Sequence, residues 1–421
     1  MNDYTLHGLA PNHVAEPASA EHLAELLRDA HARRLALVPW GGGTRQHVGR
    51  RPARYDLALS TRRLNQIVDY QPADRVITVE AGVTLGAVQA QLAHHGQWLP
   101  WDPAQPERAT IGGLLASGAA GALRLSHGSP RDWTLGMRVA LGDGRLVRSS
   151  RHQVKNSAGF DTHRVHIGAL GTLGVITEAT FRVAVLPERR QSLLAAFTNP
   201  HLPARAIDQL RDAPLQPLAL VALNQRAEQR IAALHAFLRN QPAHVVVLAR
   251  FAGASGIVQH QLREAVRRCV EIGARTVELH DEEDHVLWNE LAGALAPHAD
   301  GSLLLKARAP SNAFGAVAGL LERTARQCGW DAAQIGIAGV GLIYSRWAIA
   351  GARPEVVAAT LAGLRAELAM LNGYAVVEEA PPALTDSLDV WGPPPEGIEL
   401  VRSLQARWDP AGILNPGRYV V

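Results

Sequence analysis

The chain has 421 residues, 47% of them apolar, and a formal charge of +3 carried almost wholly by arginine, since lysine occurs only at Lys155 and Lys306. That length exceeds what one hydrophobic core usually supports and implies two domains, and the composition excludes a disordered or collagen-like chain and argues against nucleic acid as a partner. The two cysteines, Cys269 and Cys328, lack any C-x-x-C spacing, which excludes a disulfide framework and a cysteine-held iron–sulfur cluster and fits a reducing cytoplasm.

Residues 1–20 are polar, with no basic-then-apolar leader pattern, and no stretch further on is long and apolar enough to span a bilayer. A cytoplasmic protein without a direct membrane span is expected, associated with a membrane only through partners. Ser19 followed by Glu21, with apolar Leu23, Leu26 and Leu27, predicts a capped helix ending near His31, and a strand over 35–38 follows. Directly after it stand Pro39-Trp40-Gly41-Gly42-Gly43-Thr44. Three glycines at a strand end let several N–H groups converge on one anion without Cβ interference, which suits a pyrophosphate; the same run also serves as a plain flexible turn. Strands over 55–59 and 75–80 and a helix over 85–95 come next.

A second glycine-rich segment, Ala109-Thr110-Ile111-Gly112-Gly113, opens a Gly/Ala-rich stretch over 110–122 whose helix would carry almost no side chains. Such a helix packs very close to a flat or charged neighbour. A hairpin is expected around Gly142-Asp143-Gly144, and strand and turn signals alternate from 165 to 187, punctuated by Gly168, Gly171 and Gly174. At 187–190 the glycine motifs stop and amphipathic Leu/Ala/Arg segments begin, which reads as a linker. The following domain alternates strands (218–223, 244–251, 302–307, 335–343) with helices (204–211, 228–239, 257–272, 312–328, 354–372). Trp391-Gly392-Pro393-Pro394-Pro395 is a crossing segment to a last helix over 398–408. The resulting division is 1–188, 189–390 and 391–421, in an α+β rhythm. Within the second domain, Glu278-Leu279-His280-Asp281-Glu282-Glu283-Asp284-His285 holds metal-competent groups, but so many carboxylates together also make a solvated helix start, and no metal site is assigned.

The order of motifs makes the pattern specific. Trp98-Leu99-Pro100-Trp101-Asp102-Pro103, then Ala109 to Gly113, then His127-Gly128-Ser129-Pro130-Arg131-Asp132, then Ile167-Gly168-Ala169-Leu170-Gly171-Thr172-Leu173-Gly174-Val175-Ile176-Thr177, close on Trp408-Asp409-Pro410-Ala411-Gly412-Ile413-Leu414-Asn415-Pro416-Gly417-Arg418. In these segments the chain resembles the PCMH-type FAD-binding flavoproteins, which include vanillyl-alcohol oxidase, D-lactate dehydrogenases and glycolate oxidase. Val154-Lys155-Asn156-Ser157-Ala158-Gly159-Phe160-Asp161 is most similar to the smaller FAD-binding subunit of bacterial glycolate oxidase. The resemblance covers the first domain and the chain end well and the middle poorly. It implies an α+β fold in which a PCMH-type FAD-binding domain of two α/β subdomains carries a smaller α+β cap.

The same resemblance assigns cofactor contacts. Pro39, Trp40, Gly41, Gly42, Gly43 and Thr44, with Thr110, Ile111, Gly112 and Gly113, would hold the FAD pyrophosphate. Pro100, Asp102 and Pro103 would lie by the flavin ring or ribityl chain, or form an ordinary turn. Ala116, Ser117, Gly118 and Gly121 would pack closely on FAD, or serve only helix–sheet packing. Ser126 and Asp132 would reach the ribityl or adenine side, with a turn-capping role for Asp132 as the alternative. Gly171, Gly174, Val175 and Ile176 would offer backbone to the adenine or ring edge. Asn415 and Arg418 would approach the flavin from the chain end, where a cation favours the reduced anionic ring; a surface arginine is the alternative.

In the wider family a histidine in the first glycine loop can tether the flavin; that loop has none here, so the resemblance implies non-covalent FAD. The larger glycolate oxidase subunit and the D-lactate and D-2-hydroxyglutarate enzymes carry a Glu-His-Gly-type motif, and the corresponding Ile335-Gly336-Ile337-Ala338-Gly339-Val340-Gly341 has neither acid nor imidazole. No catalytic residue is assigned. The resemblance therefore implies an accessory FAD-binding subunit of a glycolate oxidase complex, with a larger flavin-containing subunit turning glycolate into glyoxylate and an iron–sulfur subunit passing electrons toward quinone. Three other readings stand beside it: a stand-alone FAD oxidase of a 2-hydroxy acid or alcohol, the cell-wall enolpyruvyl reductase that shares the FAD domain, and a non-catalytic assembly scaffold.

Overall fold

Ser19 does cap the first helix: its hydroxyl accepts from the His22 amide at 3.1 Å, and Ala20–Arg33 runs until Arg34 turns left-handed at φ 53°. The computed structural model that shows this describes residues 4–149, 161–238, 243–296 and 301–420, so the motif over 154–160 lies outside the described residues. Among those residues the chain divides into two compact units, the first from 1–120, 129–186 and 393–421 and the second from 121–128 and 187–392. Residues 121–128, expected within the first domain, group with the second unit.

In the first unit, β1 (His13–Ala15), β2 (Leu37–Trp40) and β3 (Leu57–Ser60) form a parallel sheet in the order β1-β3-β2. The helix Ala20–Arg33 buries Leu23 and Leu27 with Leu37, Leu59, Ile413 and Leu414 in one cluster, so the chain end completes a core that the first sixty residues begin. An antiparallel sheet follows, built from β4 (Ile67–Gln71), β5 (Val76–Glu80), β7 (Thr134–Ala140), β8 (Leu146–Ser149) and β9 (Val175–Arg182), in the order β4-β5-β9-β7-β8. Its apolar side, including Ile77, Val79, Val139 and Phe181, packs on the helices Leu85–Ala93 and Ile111–Ser117. Two short strands, β6 (Gln97–Trp98) and β10 (Ala184–Val185), pair antiparallel and pin the 98–103 segment to the end of β9.

The second unit is one antiparallel sheet of eight strands: β11 (Arg189–Phe197), β12 (Ala219–Asn224), β13 (Val245–Gly253), β14 (Arg275–His280), β15 (Leu303–Arg308), β16 (Ala332–Ile337), β17 (Leu342–Trp347) and β18 (Tyr374–Glu379). The order is β14-β11-β13-β12-β16-β17-β15-β18, and helices pack on both faces, which explains why the central strands β12 and β13 are apolar nearly throughout. The long helices Leu202–Asp212, Ser255–Glu271, Phe314–Gln327, Pro354–Met370 and Ile398–Trp408 stand close to where the apolar spacing puts them.

Three expectations need correction. Residues 187–190 are not a linker throughout, because β11 starts at Arg189 and pairs along its length with β13. The strand expected over 335–343 is two strands joined by a tight turn at Ala338–Val340, with Gly341 at φ +64°. A side chain at Gly341 would start 2.0 Å from the Ala309 carbonyl, so only glycine closes this hairpin. The helix expected over 228–239 breaks into Gln225–Glu228 and Ala232–Phe237 among the described residues.

The acidic run at 278–285 is the end of β14 and the first turn of the helix Asp281–Gly293, where carboxylates suit the positive helix end. Its last carboxylate is structural: Asp284, 1% exposed, pairs with Arg250 and accepts the Ser192 hydroxyl at 2.6 Å, while Trp288 Nε1 donates to the same hydroxyl at 2.8 Å. Removing one member of a buried pair strands the other charge at about 3 kcal/mol or more. Asp284→Ala should therefore lower the thermal midpoint by about 10 °C in a calorimetric melt, and an unchanged midpoint would contradict the pairing.

Candidate functional site

Four segments of the first unit line one open cleft: residues 39–46, 112–117, 170–176 and 415–418. The first leaves β2, whose last residue Trp40 is fixed by a 2.6 Å bond from Nε1 to the Tyr55 hydroxyl and an edge-on contact with Tyr4. The chain then turns through glycines that have no room for a side chain. A Cβ on Gly41 would sit 2.0 Å from Thr110 Oγ1, and one on Gly42 would sit 1.7 Å from the Arg108 carbonyl. The glycine loop is thus seated against the 108–110 turn backbone to backbone, and Thr110 Oγ1 accepts from both Gly42 and Gly113 amides at 3.4 Å. The amides of Gly41, Gly43 and Thr44 make no hydrogen bond among the described residues.

Thr110 also caps the helix Ile111–Ser117, which presents Gly112, Gly113, Ala116 and Ser117 to the cleft. The opposite wall is a run of left-handed residues: Leu170 (φ 52°), Gly171 (φ 73°) and, further on, Gly174 (φ 152°), before β9 begins with Val175 and Ile176. This run is clamped to the helix by Leu170 N donating to Ala116 O at 2.8 Å and Gly168 N to Leu115 O at 2.9 Å. The chain end closes the cleft. Asn415, itself at φ 47°, donates from Nδ2 to the Leu170 carbonyl at 2.5 Å, and its Oδ1 is buried without a hydrogen-bond partner among the described residues. Arg418, 2% exposed, sends its guanidinium to Gln46 Oε1 at 2.8 Å and to the Gln46 and Val48 carbonyls at 2.6 Å. Burial pulls its pKa down to about 10, so it remains a cation at neutral pH.

Of the residues expected at a cofactor site, Pro39, Trp40, Gly41, Gly42, Gly43, Thr44, Gly112, Gly113, Ala116, Ser117, Gly171, Gly174, Val175, Ile176, Asn415 and Arg418 all line this cleft. Several do not act as expected. The Gly112 amide is taken by the Ala81 carbonyl at 2.8 Å, and a Cβ there would lie 2.8 Å from the Ala81 methyl, so its bareness serves packing. Gly118 is the left-handed cap of the helix, and Asp132 is an exposed cap whose carboxylate accepts from the Ser129 amide and hydroxyl at 2.8 and 2.9 Å. Pro100, Asp102 and Pro103 do not line the cleft, nor do Thr110 and Ile111, which support it from behind. Gly121 and Ser126 belong to the second unit, where Ser126 Oγ donates to the Leu218 carbonyl at 2.7 Å. Sequence reasoning missed Arg45, Gln46, Thr61 and Leu170 in the lining. Arg45 and Gln46 directly follow the glycine loop and could have been found by extending it; Thr61 and Leu170 carry no local signal.

Behind Gly174 lies a pair of buried histidines. His166 stacks on Trp408 with ring centroids 5.1 Å apart, and burial together with neighbouring His163 pushes its pKa down to about 4. His163 is lowered by burial as well. Among the described residues no three acidic, histidine or cysteine side chains gather as a metal site, and no helix is long and apolar enough to cross a membrane.

Comparison with known proteins places this geometry. The family described as "FAD binding domain" matches residues 11–150, and that described as "FAD linked oxidases, C-terminal domain" matches residues 186–311 and 393–419. A D-2-hydroxyglutarate dehydrogenase of Xanthomonas citri pv. viticola is 33% identical over 62% of this chain and 56% of its own length. Glycolate oxidase subunit GlcD of Bacillus subtilis is 26% identical over 97% of this chain and 88% of its own, and glycolate oxidase subunit GlcE of Escherichia coli is 35% identical over 48% and 57%. Against the first and last of these the match spans little more than half of the relative. The solved structure of p-cresol methylhydroxylase shares the fold, with a TM-score of 0.73 and 16% identity over 96% of this chain and 88% of that one.

FAD fits what the cleft offers. Bare amides at Gly41, Gly43 and Thr44 with Arg45 and Arg418 in the same wall suit a dianionic diphosphate, and the Asn415 oxygen waits for a donor such as a ribityl or ribose hydroxyl. Gly42→Ala, whose new methyl would meet the Arg108 carbonyl, should yield protein that purifies with little flavin absorbance; a normal flavin content would contradict the seating of the loop. The His166 shift has a definite sign. The unfolded imidazole takes up a proton near pH 6.5 and the folded one only near 4, so stability is complete above 6.5 and falls by about 3 kcal/mol as the pH drops toward 4. His166→Phe, which keeps the stack on Trp408, should flatten the acid side of a midpoint-versus-pH curve, and an unchanged slope would assign the acid loss elsewhere.

Proposed function

Because the chain belongs to the FAD-linked oxidases, we propose that it binds FAD non-covalently in the cleft of its first unit and serves as the FAD-binding accessory subunit of a glycolate oxidase or dehydrogenase complex. Its partners on this reading are a larger flavin-containing subunit and an iron–sulfur subunit, with glycolate oxidised to glyoxylate at the level of the complex. Bound FAD supplies an acceptor for hydride from a CH–OH carbon and a relay for electrons. The chain's own residues bind and orient it: the glycine-loop amides hold the diphosphate, the buried Arg418 adds a positive charge behind them, and Asn415 takes a hydroxyl donor.

One observation carries the accessory role. The cleft is lined by backbone, apolar side chains such as Trp40, Leu170 and Ile176, hydroxyls, amides and arginines, with no carboxylate or imidazole among its lining residues, and the 335–341 segment of the second unit has neither group. Hydroxy-acid oxidation needs a base to take the hydroxyl proton as hydride leaves. A binding and relay role needs only what this lining has. The likeness to the GlcE subunit over 48% of this chain supports the same reading.

A second reading, a stand-alone dehydrogenase of a 2-hydroxy acid, is favoured by the D-2-hydroxyglutarate dehydrogenase match, 33% identical over 62% of this chain. Anaerobic titration separates the two. With glycolate or D-lactate, the flavin of the lone chain should stay oxidised and bleach only when the partner subunits are co-expressed. Bleaching of the lone chain at enzymatic rates would defeat the accessory role and establish the second reading.

A further inference from the structure

We propose that Gln46 and Arg418 form a latch that pre-sets the glycine loop, so that two residues at opposite ends of the chain act as positioning residues for FAD affinity. The inference deepens the reading that FAD occupies this cleft and rests on it.

The loop from Pro39 to Gln46 is closed on itself by one side chain. Gln46 Nε2 donates to the Pro39 carbonyl at 2.7 Å, tying the loop's last residue to its first. The other end of the same carboxamide is held from outside, since Gln46 Oε1 accepts from Arg418 at 2.8 Å. Arg418 also takes the Gln46 and Val48 carbonyls at 2.6 Å each, so three of its bonds fall on the loop's exit. The arginine is in turn fixed by backbone. Its carbonyl accepts from Arg50 N at 3.1 Å, Pro416 O accepts from Ala53 N at 2.8 Å, and Asn415 N donates to Leu37 O at 2.8 Å, so the chain end is stitched along both sides of the loop.

The physical consequence follows from the three glycines between the tied ends. They give the loop more backbone freedom than any other residue type would, and a ligand that had to freeze it would bind more weakly. Freezing it beforehand removes that penalty from binding, which is preorganisation. Arg418, 2% exposed, acts on the diphosphate through its charge alone, and its fork shapes the loop. Linkage then requires the converse, that FAD holds the chain end in place.

The test is a titration of apoprotein with FAD, followed by flavin fluorescence, together with the thermal midpoint of each apoprotein. Gln46→Ala and Arg418→Lys, the latter keeping the charge and losing the fork, should each weaken FAD binding about tenfold, and the double variant should be no weaker than the worse single one. Single variants within about twofold of wild type, or a double variant whose loss is the product of the two, would overturn the latch. A fall in midpoint with unchanged affinity would mean a structural role only, and overturns it equally. Gln46→Ala alone carries the test if the arginine variant does not fold. Ala116→Trp, which fills the cleft, separates the two levels of argument: intact FAD binding there removes the site and the latch together, whereas lost binding there with unaffected Gln46→Ala removes the latch and leaves the site.

Discussion

The structure depends on one contact in which side chains are forbidden. At Gly41 and Gly42 the chain lies so close to Thr110 and Arg108 that a methyl group would overlap an oxygen in both places. This brings the end of a parallel strand and the start of a helix, almost seventy residues apart, into backbone contact, with the Thr110 hydroxyl shared between them. The amides at 41, 43 and 44 make no hydrogen bond among the described residues, because the strand ladder has ended and no helix has begun, and on the proposed reading they meet the FAD diphosphate. Packing and binding are the same geometric fact seen from two sides.

The chain end completes what that contact begins. Ile413 and Leu414 are buried among the first helix and the parallel sheet, while Asn415 and Arg418 form cleft wall. Asp409 fastens the return, its carboxylate accepting from the Ile413 and Leu414 amides at 3.1 and 2.7 Å. On the proposed reading, FAD binding draws on residues from both ends of this sequence. The second unit owes its stability to another device, a sheet covered on both faces, with the Arg250–Asp284 pair buried at one end. The acidic run at 278–285 opens a helix, with Asp284 buried against Arg250 and Ser192.

Much of this was legible because glycine and capping residues report backbone requirements directly. Ser19, Thr110 and the triple glycine act locally, so their positions in sequence are their positions in structure, and sixteen of the expected contacts line the cleft. What escaped was whatever depends on long-range pairing. Arg189 and Arg190 look like a polar linker, yet they start a strand because β13 offers partners from Gly253 inward. The 335–343 run is apolar apart from its glycines and hides a turn, closed at Gly341 where the Ala309 carbonyl leaves no room for a side chain. Asp132 and Gly118 carry family positions but serve caps, and Gly112 gives its amide to Ala81; in each case the residue type is right for a ligand and for local structure alike. Gln46 escaped because glutamine after a loop is ordinary, and its meaning comes from an arginine near the other end of the chain.

Amide hydrogen exchange at single-residue resolution, with and without FAD, tests the central claim most directly. Gly41, Gly43 and Thr44, open in the protein alone, should become strongly protected when FAD is added, while Gly112, already bonded to Ala81, should be slow in both states. Exchange at 41, 43 and 44 that FAD leaves unchanged, with protection appearing elsewhere, would contradict it.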